Sequence, residues 1–213
     1  MSLVRVNAVS TSVDGFVAGP DQDQEHPLGI GGGALHEWIF ATVTGQAMIG
    51  NQGGETGIDD DLLIAASNGV GATIMGRNMF GPVRGAWGED EWRGWWGDEP
   101  PFHHPVFVLT NYPRAPLDME GGTTFHFVTD GPEAALALAR EAAGDADIRL
   151  GGGARTIRQF IERRLVDSMH FAVVPVLLGS GERVFDATLV PRGYRCSSFV
   201  ASTRVAHFTI VRT

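Results

Sequence analysis

The residues with the clearest chemical meaning are three consecutive glycines, Gly151, Gly152 and Gly153. They follow a strand-like run at 147–150 and precede a helical run that begins at Ala154. Such a turn presents backbone N–H groups, and the positive end of the following helix stabilises the charge of a pyrophosphate. Glycines also occur in tight strand-to-helix turns only because they adopt unusual dihedrals. The triplet therefore indicates either a phosphate site or a plain turn.

A second candidate site follows the strand-like run at 72–75, where Gly76, Arg77 and Asn78 come next. Ligands of open α/β sheets bind at the carboxyl ends of strands, which is where Arg77 would lie. Its guanidinium could hold a phosphate through two parallel hydrogen bonds. A surface arginine could instead pair with one of the 25 acidic side chains. Both interpretations of Arg77 stay open on the residues alone.

Two further segments bring polar residues to the end of a strand. Thr110 and Asn111 close a β-branched run, and they either contact a ligand or form a turn. Residues 12–19 follow the first strand and contain Asp14 and Gly15, a pair typical of a hairpin turn. The same loop could close over a ligand.

The elements that must position these residues are predicted from apolar periodicity. The predicted strands are residues 4–10, 72–75, 106–110, 125–128, 148–150, 169–174, 198–202 and 205–211. The predicted helices are residues 34–40, 60–68, 132–143 and 154–164, and the glycine-rich stretches 29–33 and 45–57 are interpreted as loops. We expect Asp130 to cap the third helix and Pro132 to lie in its first turn. Strands that alternate with helices, followed by a strand pair, predict a mostly parallel α/β sheet with an antiparallel end.

Length and composition restrict the class of protein. The 213 residues, 43% of them hydrophobic, suit one domain over residues 1–213. A net charge of −9 without a basic run disfavours a nucleic-acid partner. The single cysteine, Cys196, excludes an intramolecular disulfide and a CxxC zinc site, and the paired His103 and His104 lack a second ligand pair, so no metal is expected. With neither a signal peptide nor an apolar run of about 20 residues, a cytoplasmic protein without a membrane partner is predicted.

Four motifs in order carry a family resemblance: SVDGFVAG at 12–19, ATIMGRNMFG at 72–81, PVFVLTN at 105–111, and IRLGGG through to ERVF at 148–185. The chain resembles the family formed by dihydrofolate reductase and the reductase domain of bacterial riboflavin biosynthesis, in particular its stand-alone bacterial members. The resemblance implies a dihydrofolate-reductase-like three-layer α/β fold, in which flanking helices cover a mostly parallel central sheet with an antiparallel C-terminal hairpin. It also implies a homodimer, NADPH as the cofactor, and activity like that of dihydrofolate reductase or of 5-amino-6-(5-phosphoribosylamino)uracil reductase.

The resemblance also assigns residues to the cofactor. The glycine triplet and Ala154 would face the pyrophosphate, Arg77 and Asn78 the 2′-phosphate, Thr110 and Asn111 the adenosine, and Val17 and Ala18 the nicotinamide. The full set of implied cofactor residues is Val17, Ala18, Gly76, Arg77, Asn78, Thr110, Asn111, Leu150, Gly151, Gly152, Gly153, Ala154, Arg155 and Thr156.

The substrate side departs from the family pattern. By spacing back from Arg77, Asp60 or Asp61 falls where the classical enzymes carry their catalytic acid, although aspartates at a helix start are also ordinary caps. Residues 21–57 form an insertion, and dihydrofolate itself stays in doubt. The tryptophan-rich loop at 81–104 could form an aromatic wall for a planar ring or cover a dimer partner. We assign Asp14, Trp87 and Trp92 to the substrate side.

The sequence therefore predicts an NADPH-dependent reductase that transfers hydride to a small, heterocyclic substrate such as a pteridine or pyrimidine. Asp60, Asp61 or a water molecule would supply the proton. The alternatives are a nucleotide-binding or ligand-sensing dimer without turnover, and a reductase that uses a flavin or deazaflavin.

Overall fold

A single mixed sheet organises the chain in the computed structural model, which describes residues 2–81, 85–88, 92–185 and 192–213. Its strands in the described residues run in the order β4-β5-β3-β2-β6-β1-β7-β9-β8. The strands are β1 (Val4–Ser12), β2 (Val70–Gly76), β3 (Pro105–Leu109), β4 (Leu117–Asp118), β5 (Thr124–Val128), β6 (Asp147–Gly152), β7 (Ser168–Val174), β8 (Tyr194–Ala201) and β9 (Ala206–Arg212).

The strands from β5 to β7 in this order are parallel to one another, whereas β4, β9 and β8 run antiparallel to their neighbours. The predicted mostly parallel sheet with an antiparallel C-terminal pair is therefore confirmed. The helices are α1 (Glu37–Phe40), α2 (Val43–Met48), α3 (Ile58–Ser67), α4 (Arg77–Phe80), α5 (Pro132–Ala143) and α6 (Ala154–Glu162). Short 3-10 helices span Gly32–His36 and Glu120–Gly122.

Alternating strand residues build a core on each face of the sheet. Ile74 of β2 and Ile148 of β6 pack with α5 and α6, around Leu136 and Phe160. Met75, the next residue along β2, joins an aromatic cluster on the other face instead. That cluster contains Phe80, Phe102 and Phe125, with Trp87, Trp92 and Trp96 packed against it.

On the face of the sheet opposite to α5 and α6, the part around β7 is covered by α3 and by the inserted segment. Leu35 and Trp38 of the insertion pack with Leu63 of α3 on Ala172 and Val174 of β7. Because the two sides of β7 contribute to different clusters, the sheet lies between two helical layers, and the predicted three-layer arrangement is confirmed. No helix in the described ranges has the length and apolarity to cross a membrane.

Several local predictions were wrong. Gly151 and Gly152 continue strand β6 and do not form a turn, so the glycine run turns only at Gly153. Helix α2 overlaps the start of the stretch 45–57 that was interpreted as a loop. Helix α5 has the predicted bounds, but Gly131, at φ 90°, is its N-cap, and no side chain caps it. A position with positive φ favours glycine, which explains why Gly131 and not Asp130 is the N-cap of α5.

Candidate active site

A groove of about 560 Å³ runs along the carboxyl ends of β2, β3 and β6. These strands are parallel neighbours, with Gly76 paired in register to Leu109 and Met75 to Gly152. The residues that follow them therefore meet at one edge of the sheet. Most of the predicted cofactor residues line this groove: Val17, Ala18, Gly76, Arg77, Asn78, Thr110, Asn111, Gly153, Ala154, Arg155 and Thr156.

The remaining predicted cofactor residues lie elsewhere on β6. Gly151 and Gly152 border a second, smaller cavity, which Gly153 and Ala154 share with the groove. Leu150 has no exposed surface and packs in the core against α5 and α6. Leu150 therefore packs in the core and lines neither the groove nor the smaller cavity.

The start of α6 has the features of an anion site. Gly153 is the N-cap of this nine-residue helix, and no side chain makes a capping hydrogen bond to it. A Cβ on Gly153 would meet no atom within 4 Å, so there is open space in front of the helix. Unsatisfied N–H groups and the helix dipole favour a phosphate in such a place. The residues present therefore fit the pyrophosphate of a dinucleotide.

Arg77 lines the groove with its side chain held by the loop that follows α4. Its guanidinium stacks on the Trp87 ring, 3.4 Å from the centroid, and Nη1 donates to the Gly85 carbonyl oxygen at 2.7 Å. Arg77 is therefore not a solvent-exposed surface arginine, because it stacks on Trp87. Part of its hydrogen-bonding capacity is already used by the Gly85 carbonyl oxygen. This arrangement leaves a positive charge beside the groove, which the start of α6 also lines.

Trp87 and Trp92 do not border the smaller cavity. Trp87 donates its indole N–H to the Tyr112 carbonyl oxygen at 3.0 Å, and Trp92 donates to the Phe80 carbonyl oxygen at 2.9 Å. Both pack against the aromatic cluster. Their positions give them a packing role and a contact with Arg77, and they do not support the predicted contact with substrate. Residues 82–84 and 89–91 of this loop lie outside the described residues.

Asp14 anchors the loop that leads from β1 to the groove. Its carboxylate accepts the backbone N–H groups of Gly179 at 2.7 Å and of Leu178 at 3.2 Å. The hydrogen bond from the Ser12 side chain, followed by these backbone N–H groups, holds the pKa of Asp14 at about 2. These hydrogen bonds fix residues 12–18, which carry Val17 and Ala18 to the groove.

The smaller cavity, of about 300 Å³, lies between β1, β6 and α3. Its walls are mainly apolar, as is usual for the site of a small molecule. The polar side chains among its lining residues are Asn7, Ser10, His36, Ser67 and Arg149. Burial lowers the pKa of His36, and its Nδ1 is buried without a hydrogen-bond partner.

Neither predicted catalytic aspartate lines this cavity. Asp60 is buried, and its Oδ1 accepts the backbone N–H of Thr44 at 2.8 Å, in the first turn of α2. It borders a different groove, beside Asp59 and Glu55, and Asp61 is exposed on α3. The ordinary structural interpretation of these aspartates thus has direct support, whereas their positions do not support proton donation at the cavity.

A buried chain of polar groups lies between α3 and β1. The Nε2 of His170 is 3.0 Å from Nδ1 of His207, whose own Nε2 is 2.7 Å from Asp59 Oδ1. The backbone N–H of Ala8 donates to His170 Nδ1 at 3.3 Å. Burial, followed by the proximity of His207, lowers the pKa of His170 to about 4. Both histidines lie on strands and are buried, so they belong to the core.

Sequence reasoning missed Arg149, His36 and Met79 as lining residues of the smaller cavity. Only Arg149 leaves a signal, because it is a charged residue in the middle of a run that otherwise reads as a buried strand. His36 belongs to the insertion, whose path the residues do not reveal. Met79 appeared only as part of a motif.

Fold and site together define an α/β protein of the dihydrofolate-reductase-like class, with two joined spaces at the carboxyl edge of its sheet. The chain belongs to the RibD C-terminal domain family, whose model matches residues 4–208. No protein of curated function shows significant similarity to it.

Solved structures share the fold at low sequence identity. A protein of Shewanella sp. PV-4 named for riboflavin biosynthesis is 21% identical, with a TM-score of 0.60 over 100% of this chain and 99% of that one. Dihydrofolate reductase from Enterococcus faecalis, in complex with NADP(H) and RAB-propyl, is 14% identical, with a TM-score of 0.56 over 100% and 96%. The diaminohydroxyphosphoribosylaminopyrimidine deaminase/5-amino-6-(5-phosphoribosylamino)uracil reductase of Thermotoga maritima is 13% identical, with a TM-score of 0.56 over 100% of this chain and 57% of that one.

Proposed function

We propose that the chain is an NADPH-dependent reductase that binds the dinucleotide in the larger groove and a small heterocyclic substrate in the smaller cavity. The observation that carries the proposal is that the two spaces meet at Gly153 and Ala154. A long groove with a cation and a helix N-terminus suits a phosphorylated dinucleotide, and an apolar cavity at its end suits a ring. When bound, the reduced nicotinamide supplies the hydride.

The chain's own residues bind and orient the two reactants. The N–H groups at the start of α6 would hold the pyrophosphate, and the Arg77 guanidinium would hold the 2′-phosphate. Val17 lines both spaces and would separate the substrate ring from water near the reacting atoms. Correct orientation in a dry site can supply a large share of a rate enhancement.

In this arrangement the proton required for reduction would come from a source other than Asp60 or Asp61, because neither lines the cavity. His36 and Arg149 are the titratable side chains among the described residues that line the cavity. With its pKa lowered by burial, His36 is a neutral imidazole at neutral pH. It can therefore relay a proton from water to the substrate without storing one.

Titration with NADPH and NADH tests the proposal directly. Trp87 touches Arg77, so saturable quenching of tryptophan fluorescence should report binding. Oxidation of NADPH is then followed with a panel of pteridines, flavins and pyrimidines. Failure of the protein to bind either dinucleotide would overturn the proposal. Binding without oxidation would favour a sensing protein, and turnover that needs an added flavin would favour a flavin-dependent reductase.

The variant Arg77→Ala tests the choice of NADPH over NADH. Hydrogen bonds to a charged group contribute about 1.5–3 kcal/mol, so NADPH affinity should fall roughly 10- to 150-fold while NADH affinity changes little. Arg163→Ala is the control, because Arg163 pairs with Glu133 at the far end of α6 and lines neither space. An unchanged NADPH preference in Arg77→Ala would remove the 2′-phosphate assignment, and Arg155 would be the next candidate.

A further inference from the structure

The smaller cavity contains one strongly basic side chain, that of Arg149. Strand β6 alternates its side chains, so that Ile148 and Leu150 enter the core while Arg149 and Gly151 face the opposite side. Arg149, Gly151 and Gly153 all line the cavity. Arg149 therefore lies on the same face of β6 as Gly151, and the cavity continues from it to Gly153, which also lines the groove.

The Arg149 guanidinium has no partner within the part of the chain that the structure describes. Its Nε–H is shielded from solvent and donates to no acceptor among the described residues. No aspartate or glutamate is among the described residues that line the cavity. Burial lowers the pKa of Arg149, and burial together with the Arg149 charge lowers the pKa of the nearby His104 to about 4.

The neighbouring strands supply no counter-charge, because their polar groups are already engaged. Thr73, the register partner on β2, is 2.8 Å from His104 Nε2 through its hydroxyl oxygen. Arg5, the register partner on β1, binds Asp147 Oδ2 at 3.0 Å. The other oxygen of Asp147 accepts the backbone N–H of Leu3 at 2.9 Å. The nearest acid along β6, Asp147, thus already pairs with Arg5 and accepts a backbone N–H.

Arg149 is half-buried with its Nε shielded from solvent, and a charge that is largely removed from water without a counter-charge is unfavourable unless it binds a ligand. A buried polar group without a partner in a native structure requires a functional or structural explanation. The apolar walls of the cavity, formed among others by Leu28, Leu63 and Met79, strengthen the attraction between this cation and any anion that enters. An anionic group of a ligand would supply both the missing counter-charge and a hydrogen-bond acceptor for Arg149.

We propose that Arg149 anchors an anionic oxygen group of the substrate, so that the enzyme acts on a compact, ring-containing carboxylate or phosphate. The proposal rests on the assignment of the smaller cavity to the substrate. Four residues of strand span roughly 13 Å, so the anion would bind at one end of the substrate and the reacting atom would lie toward Gly153. Gly151, between the two, has no side chain to interrupt the path.

Titrations of the cofactor-free protein with three pyrimidines test the anchor. Orotate carries a carboxylate on the ring, uridine 5′-phosphate carries a phosphate, and uracil carries neither. We expect at least one of the anions to bind about tenfold or more tightly than uracil, since each tenfold step corresponds to about 1.4 kcal/mol. The tighter anion identifies the source of the charge. If neither anion exceeds uracil in affinity, the proposal is wrong.

Variants at two neighbouring arginines separate binding from folding. In Arg149→Met the preference for the anion should disappear, and in Arg149→Lys part of it should remain. The melting temperature of Arg149→Met should stay equal or rise by a few degrees, because a half-buried charge without a counter-charge is removed. Arg5→Met is the matched control: it breaks the ion pair with Asp147, so it should lower the melting temperature and leave the anion preference unchanged.

Two results would overturn the role of Arg149: retention of the anion preference in Arg149→Met, or a lower melting temperature that marks Arg149 as a structural residue. NADPH binding, measured on the same variants by tryptophan fluorescence, should not change. This measurement keeps the two proposals distinct. If the wild-type protein does not bind NADPH, the reductase assignment is contradicted, but the anion titration still tests the role of Arg149.

Discussion

The substitution Gly153→Ala tests whether phosphate groups approach the backbone at the start of α6. Gly153 has φ −76° and ψ −167°, which alanine adopts without strain. A Cβ at this position would meet no atom within 4 Å. The methyl group would therefore stand in the open space in front of the helix, where the cofactor is proposed to bind.

The expected effects on folding and on binding differ in sign. The free energy of unfolding of the cofactor-free protein should stay equal or rise by up to about 1 kcal/mol, because alanine lowers the entropy of the unfolded chain. In the complex the methyl group displaces a phosphate oxygen from the N–H groups at the start of α6. Loss of one such hydrogen bond to a charged group costs about 1.5–3 kcal/mol, which corresponds to roughly 10- to 150-fold weaker NADPH binding.

Calorimetric titration with NADPH, at one fixed ionic strength, measures the binding, and urea denaturation measures the free energy of unfolding. Gly33→Ala is the matched control. A Cβ there also meets nothing within 4 Å, φ lies outside the left-handed region, and Gly33 lines neither space. If the Gly153→Ala protein folds and binds NADPH with wild-type affinity, phosphate does not bind at the start of α6. If the variant is destabilised, the space in front of Gly153 is not open.

Two further predictions concern the loop anchor and the buried histidines. Asp14→Ala removes the carboxylate that accepts the N–H groups of Leu178 and Gly179, so both amides should exchange hydrogen faster and NADPH should bind severalfold more weakly; unchanged exchange would show that other contacts hold the loop. His170, with its pKa lowered from 6.5 to about 4, binds fewer protons in the native protein than in the unfolded chain between these values. The free energy of unfolding therefore rises with pH through this interval and falls as the pH drops through it, by about 3 kcal/mol at most for this group. Urea denaturation at about pH 7 and about pH 4.5 should show a smaller difference for His170→Gln than for the wild type, and equal differences would contradict the assignment.

The sheet and the longer helices follow from local patterns in the sequence. Helix α5 has the predicted bounds because an apolar stripe, a proline in the first turn and a flanking glycine all act within the same dozen residues. The groove could be anticipated for a related reason. Parallel strands bring their carboxyl ends to one edge, so that Arg77, Thr110 and Gly153 converge once the strand type is known.

The inserted segment could not be predicted in the same way. Its helices α1 and α2 have four and six residues, too few for a periodic pattern. Thr42 caps α2 through its side chain, and Asp60 from α3 accepts the N–H of Thr44. The second contact joins residues distant in sequence, so an aspartate that resembles a catalytic acid by spacing serves to hold the insertion on α3.

Strand β6 shows how its alternation could have placed Leu150 in the core, and why Arg149 was missed as a lining residue of the smaller cavity. Period-two alternation assigns Leu150 to the core and Arg149 to the opposite face, but a charged residue on an opposite face normally reads as solvent-exposed. The sequence does not reveal that α3 and Met79 cover that face and turn it into a cavity. A Cβ on Gly151 would lie 3.2 Å from Met79 Sδ. The absence of a side chain at Gly151 therefore leaves room along the cavity wall between Arg149 and Gly153. In the proposed assignment, this part of the glycine run serves the substrate, whereas Gly153 serves the phosphates.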